Sequence, residues 1–187
     1  MNSAVAGDWE AAYSYAMKAI ALRKSSDAAF IYLDFYPQYE TEAFLHGGDE
    51  RQAREEVQRL GERVGRSRRL RLPYLQSEAL LSAWDGESEQ AISHLHEAAG
   101  LAADLGLPAE SWQIQAALGR VYEAGGLPAQ ARTAFEEVAR IIQGLAQGIG
   151  DETLRSRFLA APPVQQVVQQ AQSEVSQVFK SLVVLQK

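Results

Sequence analysis

The hexapeptide GDERQA, residues 48–53, sets an Ala five residues after a Gly. The same skeleton returns as GDWEAA at 7–12, GESEQA at 86–91 and GLPAQA at 126–131. Its four alanines, Ala12, Ala53, Ala91 and Ala131, are spaced by 41, 38 and 40 residues. Such even spacing in a chain with few turn residues points to one structural unit used repeatedly.

Each hexapeptide opens a stretch with helical periodicity. The apolar positions are Ala12, Ala16, Ala19 and Leu22 in the first unit, then Ala53, Val57, Leu60 and Val64 in the second. They are Ala91, Leu95, Ala98, Ala102 and Leu105 in the third, then Ala131, Phe135, Val138, Ile142 and Leu145 in the fourth. Steps of three and four residues lay these side chains along one face of a helix. Three of the glycines are preceded by another apolar helix, expected at 28–45, 72–84 and 111–124. The unit is therefore helix, tight turn, helix. Gly supplies the left-handed residue that ends the first helix, and the small Ala lets the second approach it closely. A hairpin of this kind leaves one apolar face uncovered, so the units are expected to stack.

The last unit, ALGRVYEAGGLPAQARTAF, carries Leu118-Gly119, Tyr122, Ala131 and Phe135. It resembles the tetratricopeptide signature L-G-x2-Y…A-x3-F, with Gln115 where the signature has Trp and a period nearer 40 than 34. The resemblance implies an all-α, right-handed helix-hairpin solenoid over residues 1–161, with second helices starting near 8, 49, 87 and 127. The texture of LAADLGLPAESW and GDETLRSRFLAAPPV is also similar to the C-terminal arrays of large bacterial signalling and transcriptional regulators. That likeness would place switch and output domains upstream, and the apparent half unit at the start fits it.

Residues 162–187 form a separate element, a C-terminal capping or dimerising helix. Val164, Val168, Ala171, Val175, Val178, Leu182 and Leu185 alternate steps of four and three, a heptad seam. Self-association through 164–187 is one expectation and a cap on the last unit the other. Upstream of it, Pro162 and Pro163 are expected to stop a short helix.

Composition narrows function. The net charge of −6 argues against nucleic acid as a partner, and the absence of Cys removes thiol chemistry and disulfides. No apolar run approaches the ~20 residues of a membrane span and the N-terminus has no signal-peptide pattern, so a cytoplasmic location without membrane contact is the default. His46, His94 and His96 suggest no metal site, because His94 and His96 stand about 200° apart around a helix. No phosphate loop, dinucleotide turn or nucleophile elbow is present, and the GGDE at 47–50 coincides with a repeat turn. The expectation is a non-enzyme without cofactors.

Two local features stand out. ERVGRSRRLRLP, residues 62–73, holds five arginines. Arg66, Arg68, Arg69 and Arg71 make a candidate polyanion patch, with solvated cations near a helix end as the plainer reading. FIYLDFYPQYETEAF, residues 30–44, has more aromatics than one helix face can bury, and Pro37 must kink or restart the helix.

In a helical solenoid the first helices line the concave face. Registering the units on Phe44, Trp84 and Tyr122 places Tyr39, Glu42, Glu78, Ser82, Gln113, Arg120 and Glu123 on that face. The tetratricopeptide arrays that grip a chaperone's C-terminal carboxylate use a Lys/Asn clamp, which is absent here, since Asn2 is the one Asn. The function expected is an interaction scaffold for a peptide or partner domain in the cytoplasm. The alternative is the sensor module of a multidomain regulator, binding a small effector or restraining a switch domain.

Overall fold

The computed structural model describes residues 7–25 and 37–169. They form α1 (Trp9–Ser25), α2 (Pro37–His46), α3 (Glu50–Val64), α4 (Arg68–Trp84), α5 (Ser88–Asp104), α6 (Pro108–Ala124), α7 (Pro128–Gly148) and α8 (Glu152–Leu159). A further helical stretch covers 162–169, and no strand occurs among the described residues. No helix among them is long and apolar enough to cross a membrane. Two compact units divide the chain, residues 1–101 and 102–187.

The hexapeptide skeleton is the joint between two helices. Gly48, Gly86 and Gly126 all have positive φ, 77°, 80° and 70°. The next residue's N–H reaches back to the carbonyl five before it: Asp49 to Phe44 at 2.9 Å, Glu87 to Ser82 at 2.8 Å and Leu127 to Tyr122 at 2.8 Å. This is the six-to-one closure of a left-handed helix end, where a Cβ would be penalised. The same residue then begins the second helix. The carbonyls of Asp49, Glu87 and Leu127 accept the N–H groups of Ala53, Ala91 and Ala131 at 3.1, 3.0 and 3.0 Å. The Ala is thus the first residue of the new helix to close an i to i−4 bond, and all three are fully buried. Five residues are what it takes to end one helix and complete a bond in the next.

The first unit centres on Phe44, Ala53, Val57 and Leu81, with Ala12, Ala16 and Ile20 from α1. In it α2 packs against α1, α3 and α4, and α3 also packs against α4. The expected register holds in α3, where Ala53, Val57, Leu60 and Val64 are all buried. It fails in α1, where Ile20 is buried while Leu22 is 61% exposed. The reason is that α1 turns Arg23 toward α2 and α3, which rotates its buried stripe from Ala19/Leu22 to Ile20/Arg23.

The second unit centres on Ala116, Ala131, Phe135, Val138 and Ile142, joined by Val164 and Val167. Here α6 packs against α7, with Gly119 set against the Phe135 ring. A Cβ there would sit 2.6–2.9 Å from three ring carbons of Phe135. The Leu118-Gly119…Phe135 pattern is therefore a notch and its filler. Val164 and Val167 are buried in this core, and the expected seam residue Val168 packs half-buried against it. The start of the tail is a cover on its own unit; the seam residues from Ala171 onward lie outside the described residues.

Prolines act as starters. Pro37, Pro108 and Pro128 each open a helix, at a position whose N–H has no intrahelical partner. Pro162 and Pro163, expected only to stop α8, also begin the 162–169 stretch. Helix α4 starts four residues before the expected Leu72 and runs through Pro73. Ser67 caps this start, its Oγ accepting the Leu70 N–H at 3.3 Å, and Pro73 removes only one helix bond, in the second turn. The aromatic residues Phe30, Tyr32, Phe35 and Tyr36 lie outside the described residues.

Candidate functional site

The seven residues expected on the binding face fall in both units. In the first, Tyr39 and Glu42 are half-buried on α2, and Glu78 is half-buried on α4, which packs against α2. Ser82 belongs to neither groove nor surface: it is 6% exposed, so its hydroxyl is not presented to a partner. The closing turn accounts for this, because the Ser82 carbonyl anchors the Glu87 N–H and draws the residue inside. Glu78 accepts a hydrogen bond from the Tyr74 hydroxyl. Burial, that bond and the nearby charge push the Tyr74 phenol up to about 12. In the second unit, Gln113 is half-buried on α6, while Arg120 and Glu123 are exposed farther along it.

The arginine patch is placed differently from the plainer reading. Arg63 lies in the last turn of α3, where the macrodipole favours a cation. Arg68, Arg69 and Arg71 instead occupy the beginning of α4, and its first turn holds no acid to offset them. Cations there oppose the dipole by ~0.3–1 kcal/mol each. Arg71 is offset by Glu97 of α5 at 2.6 Å, and Arg66 is exposed in the connecting turn.

Two clusters escaped sequence reasoning. The first is ionic. The Arg23 guanidinium of α1 donates to both carboxylate oxygens of Glu40 on α2, at 2.9 and 2.8 Å, and to Glu56 on α3 at 3.0 Å. Glu56 also accepts from Arg59 at 2.9 Å. The side chains of Arg23, Glu40 and Glu56 are only 11%, 17% and 12% exposed. Burial raises the Glu40 carboxyl above its ordinary range, and the Arg23 hydrogen bond and charge oppose that rise without cancelling it. The partners are 17 and 33 residues from Arg23 in sequence, so no local spacing could have announced them.

The second cluster is aromatic. His46, at the end of α2, stacks on Trp9 of α1 with centroids 3.9 Å apart and planes at 17°. Trp84, at the end of α4, meets the same imidazole edge-on at 6.0 Å. Beside them the Tyr13 hydroxyl donates to Asp49 Oδ2 at 3.2 Å, and Asp49 also caps α3 by accepting the Gln52 N–H. The registration residue Trp84 thus stays 47% exposed.

Among the described residues no three His, Asp or Glu side chains converge to hold a metal ion. Of the carboxylates on α2 and α4, Glu40 is ion-paired with Arg23 and Glu78 accepts from Tyr74. Comparison with models of known protein families, with curated proteins and with solved structures finds no match to this chain.

Proposed function

We propose that this chain is a non-catalytic interaction scaffold, a tetratricopeptide-like solenoid that binds a peptide or partner domain through its first helices, α2 and α4 in the first unit and α6 in the second. On this reading it belongs to a larger bacterial regulator and works in the cytoplasm. The observation that carries the reading is the recurrence of one joint, atom for atom, at Gly48, Gly86 and Gly126. A fold that repeats its joint repeats the surface the joint presents, and such surfaces grip extended partners through several shallow contacts. Within the first unit, the packing of α2 on α1, α3 and α4 is the neighbour pattern that stacked hairpins require.

Tyr39 and Arg120 would carry recognition, Tyr39 as a large side chain ordered at low entropic cost and Arg120 as the exposed cation. The test is capture on the immobilised chain beside a Tyr39→Ala/Arg120→Ala control. A protein retained by the wild type and lost by the control supports the reading. Retention that the double substitution leaves unchanged moves the site off these helices, and no retained protein overturns the scaffold function.

A further inference from the structure

The first unit carries opposite charge at its two ends. Three of the repeated hexapeptides belong to it, and they hold Asp8, Glu10, Asp49, Glu50 and Glu87, with Asp85 just before the last. These strings meet at one end. Trp9 stacks on His46, which also meets Trp84, and the Tyr13 hydroxyl donates to Asp49. Arg54 of α3 bridges Glu50 and Asp85, at 2.7 and 2.6 Å. Glu10 and Glu87 are exposed there, beside a Trp84 ring that is itself 47% exposed. The opposite end is the turn from α3 to α4. It carries Arg63, Arg66, Arg68 and Arg69, and no carboxylate falls between Glu62 and Glu78. Arg63, Arg66 and Arg68 are exposed.

Helix capping accounts for the acidic end. Asp8 and Asp49 accept the N–H groups of Ala11 and Gln52, where the dipoles of α1 and α3 favour a carboxylate. It does not account for the basic end, because Arg68 and Arg69 stand in the first turn of α4, against the dipole. Nor does one end screen the other within a chain. Helix α3 joins them with 15 residues, a length of about 22 Å. The screening length at physiological ionic strength is only ~8 Å. A second copy can bring the two ends into contact, and each molecule supplies one of each.

We infer that the α3–α4 turn of one copy docks on the acidic end of the first unit of another, with the Arg66 guanidinium against the Trp84 ring and Arg68 toward Glu87. A guanidinium suits this surface, since it stacks on an indole while its N–H groups reach neighbouring carboxylates. Because two different surfaces meet, the contact is heterologous and builds a ring or an open chain of copies. It goes beyond the scaffold reading and uses neither Tyr39 nor Arg120.

The test is sedimentation velocity of the full chain in low-salt buffer, from micromolar to millimolar concentration. The expected result is a mass that rises with concentration and falls back on addition of salt. Arg66→Glu/Arg68→Glu and, separately, Glu10→Lys/Glu87→Lys should each weaken the association at least about tenfold, by setting like charges against each other. All four side chains are exposed, and unchanged far-ultraviolet circular dichroism verifies that the variants fold. One chain carrying all four substitutions has the charges exchanged between its ends, and it should associate again. A merely damaged surface would not recover. Trp84→Ala should weaken the contact about two- to fivefold. A monomer at every concentration overturns the proposal, and so does a fourfold variant that stays dissociated. Association indifferent to both reversals overturns it too and moves the contact elsewhere, residues 164–187 included. A chain that stays monomeric yet binds a labelled oligoglutamate peptide through Arg66 and Arg68 has an acidic partner in place of a second copy, and the proposal falls. A protein lost through Tyr39→Ala/Arg120→Ala but kept by both reversals leaves the scaffold reading standing when this one falls.

Discussion

Replacing Gly119 by Ala puts two effects of opposite sign on one residue. Within a helix, Ala is better than Gly by ~1 kcal/mol, so without contacts the substitution stabilises. At Gly119 the added methyl would stand 2.6, 2.7 and 2.9 Å from Phe135 Cζ, Cε1 and Cε2. Phe135 is 1% exposed and packed among Ala131, Val138 and Ile142, so the ring has no free volume to enter. Overpacking of this kind costs about 1–3 kcal/mol. The expected net effect is a loss of up to about 2 kcal/mol, the steric cost offsetting or exceeding the propensity gain. Gly100→Ala and Gly144→Ala are the controls, because a Cβ at either would meet nothing within 4 Å. Each should gain up to ~1 kcal/mol. Urea unfolding followed at 222 nm reads all three as midpoint shifts at constant slope. The double variant Gly119→Ala/Phe135→Leu should lose less than the sum of its parts, because a smaller side chain leaves room for the methyl. If Gly119→Ala stabilises the protein as much as Gly144→Ala does, the notch does not exist and the account of the second unit's core fails.

Phe135→Ala should cost ~3–5 kcal/mol in the same assay, and a cost under ~1 kcal/mol would show that the ring is not the core filler. Arg23→Met should cost about 3–5 kcal/mol at neutral pH by leaving the buried Glu40 without its ion-pair partner and Glu56 with Arg59 alone. Glu40 is already raised with Arg23 present and rises further without it. A raised folded-state value means stability present below the unfolded value and lost as pH climbs through the folded one. The Arg23→Met deficit should therefore be smallest near pH ~4 and grow toward neutrality, and a deficit flat with pH would refute the network's role. The Tyr74 phenol should ionise near 12 in an absorbance titration at alkaline pH. By the same sign its contribution to stability holds below pH ~10 and fades as pH approaches that value. Glu78→Gln should bring the titration down.

The repeated joint was legible in sequence because all its requirements are local. Gly48, Gly86 and Gly126 must take positive φ, and the bonds that close the turn span at most five residues. The buried stripe of α3 was legible for the same reason: its four buried residues recur at helical spacing, and the surroundings do not contest that face. What could not be read was set by partners distant in sequence. Arg23 gathers Glu40 and Glu56 across two other helices, and this rotates α1 so that Leu22, expected inside, is outside. Ser82 sits at the spacing of a surface position, yet the turn it anchors and the helices around α4 bury it. The helix expected to begin at Leu72 begins at Arg68, because Ser67 caps it earlier and Pro73 is accommodated inside it.

By itself, then, the sequence determined the all-helical class, the hairpin unit and the residues at each joint, because backbone hydrogen bonding and helical periodicity act over a few residues. Tertiary structure decided which way each helix turns about its axis, and hence which side chains are offered to a partner. That choice minimises buried charge and unfilled volume over several helices together. The requirements of Arg23 for two carboxylates and of Phe135 for a glycine cannot be met until the helices have come together.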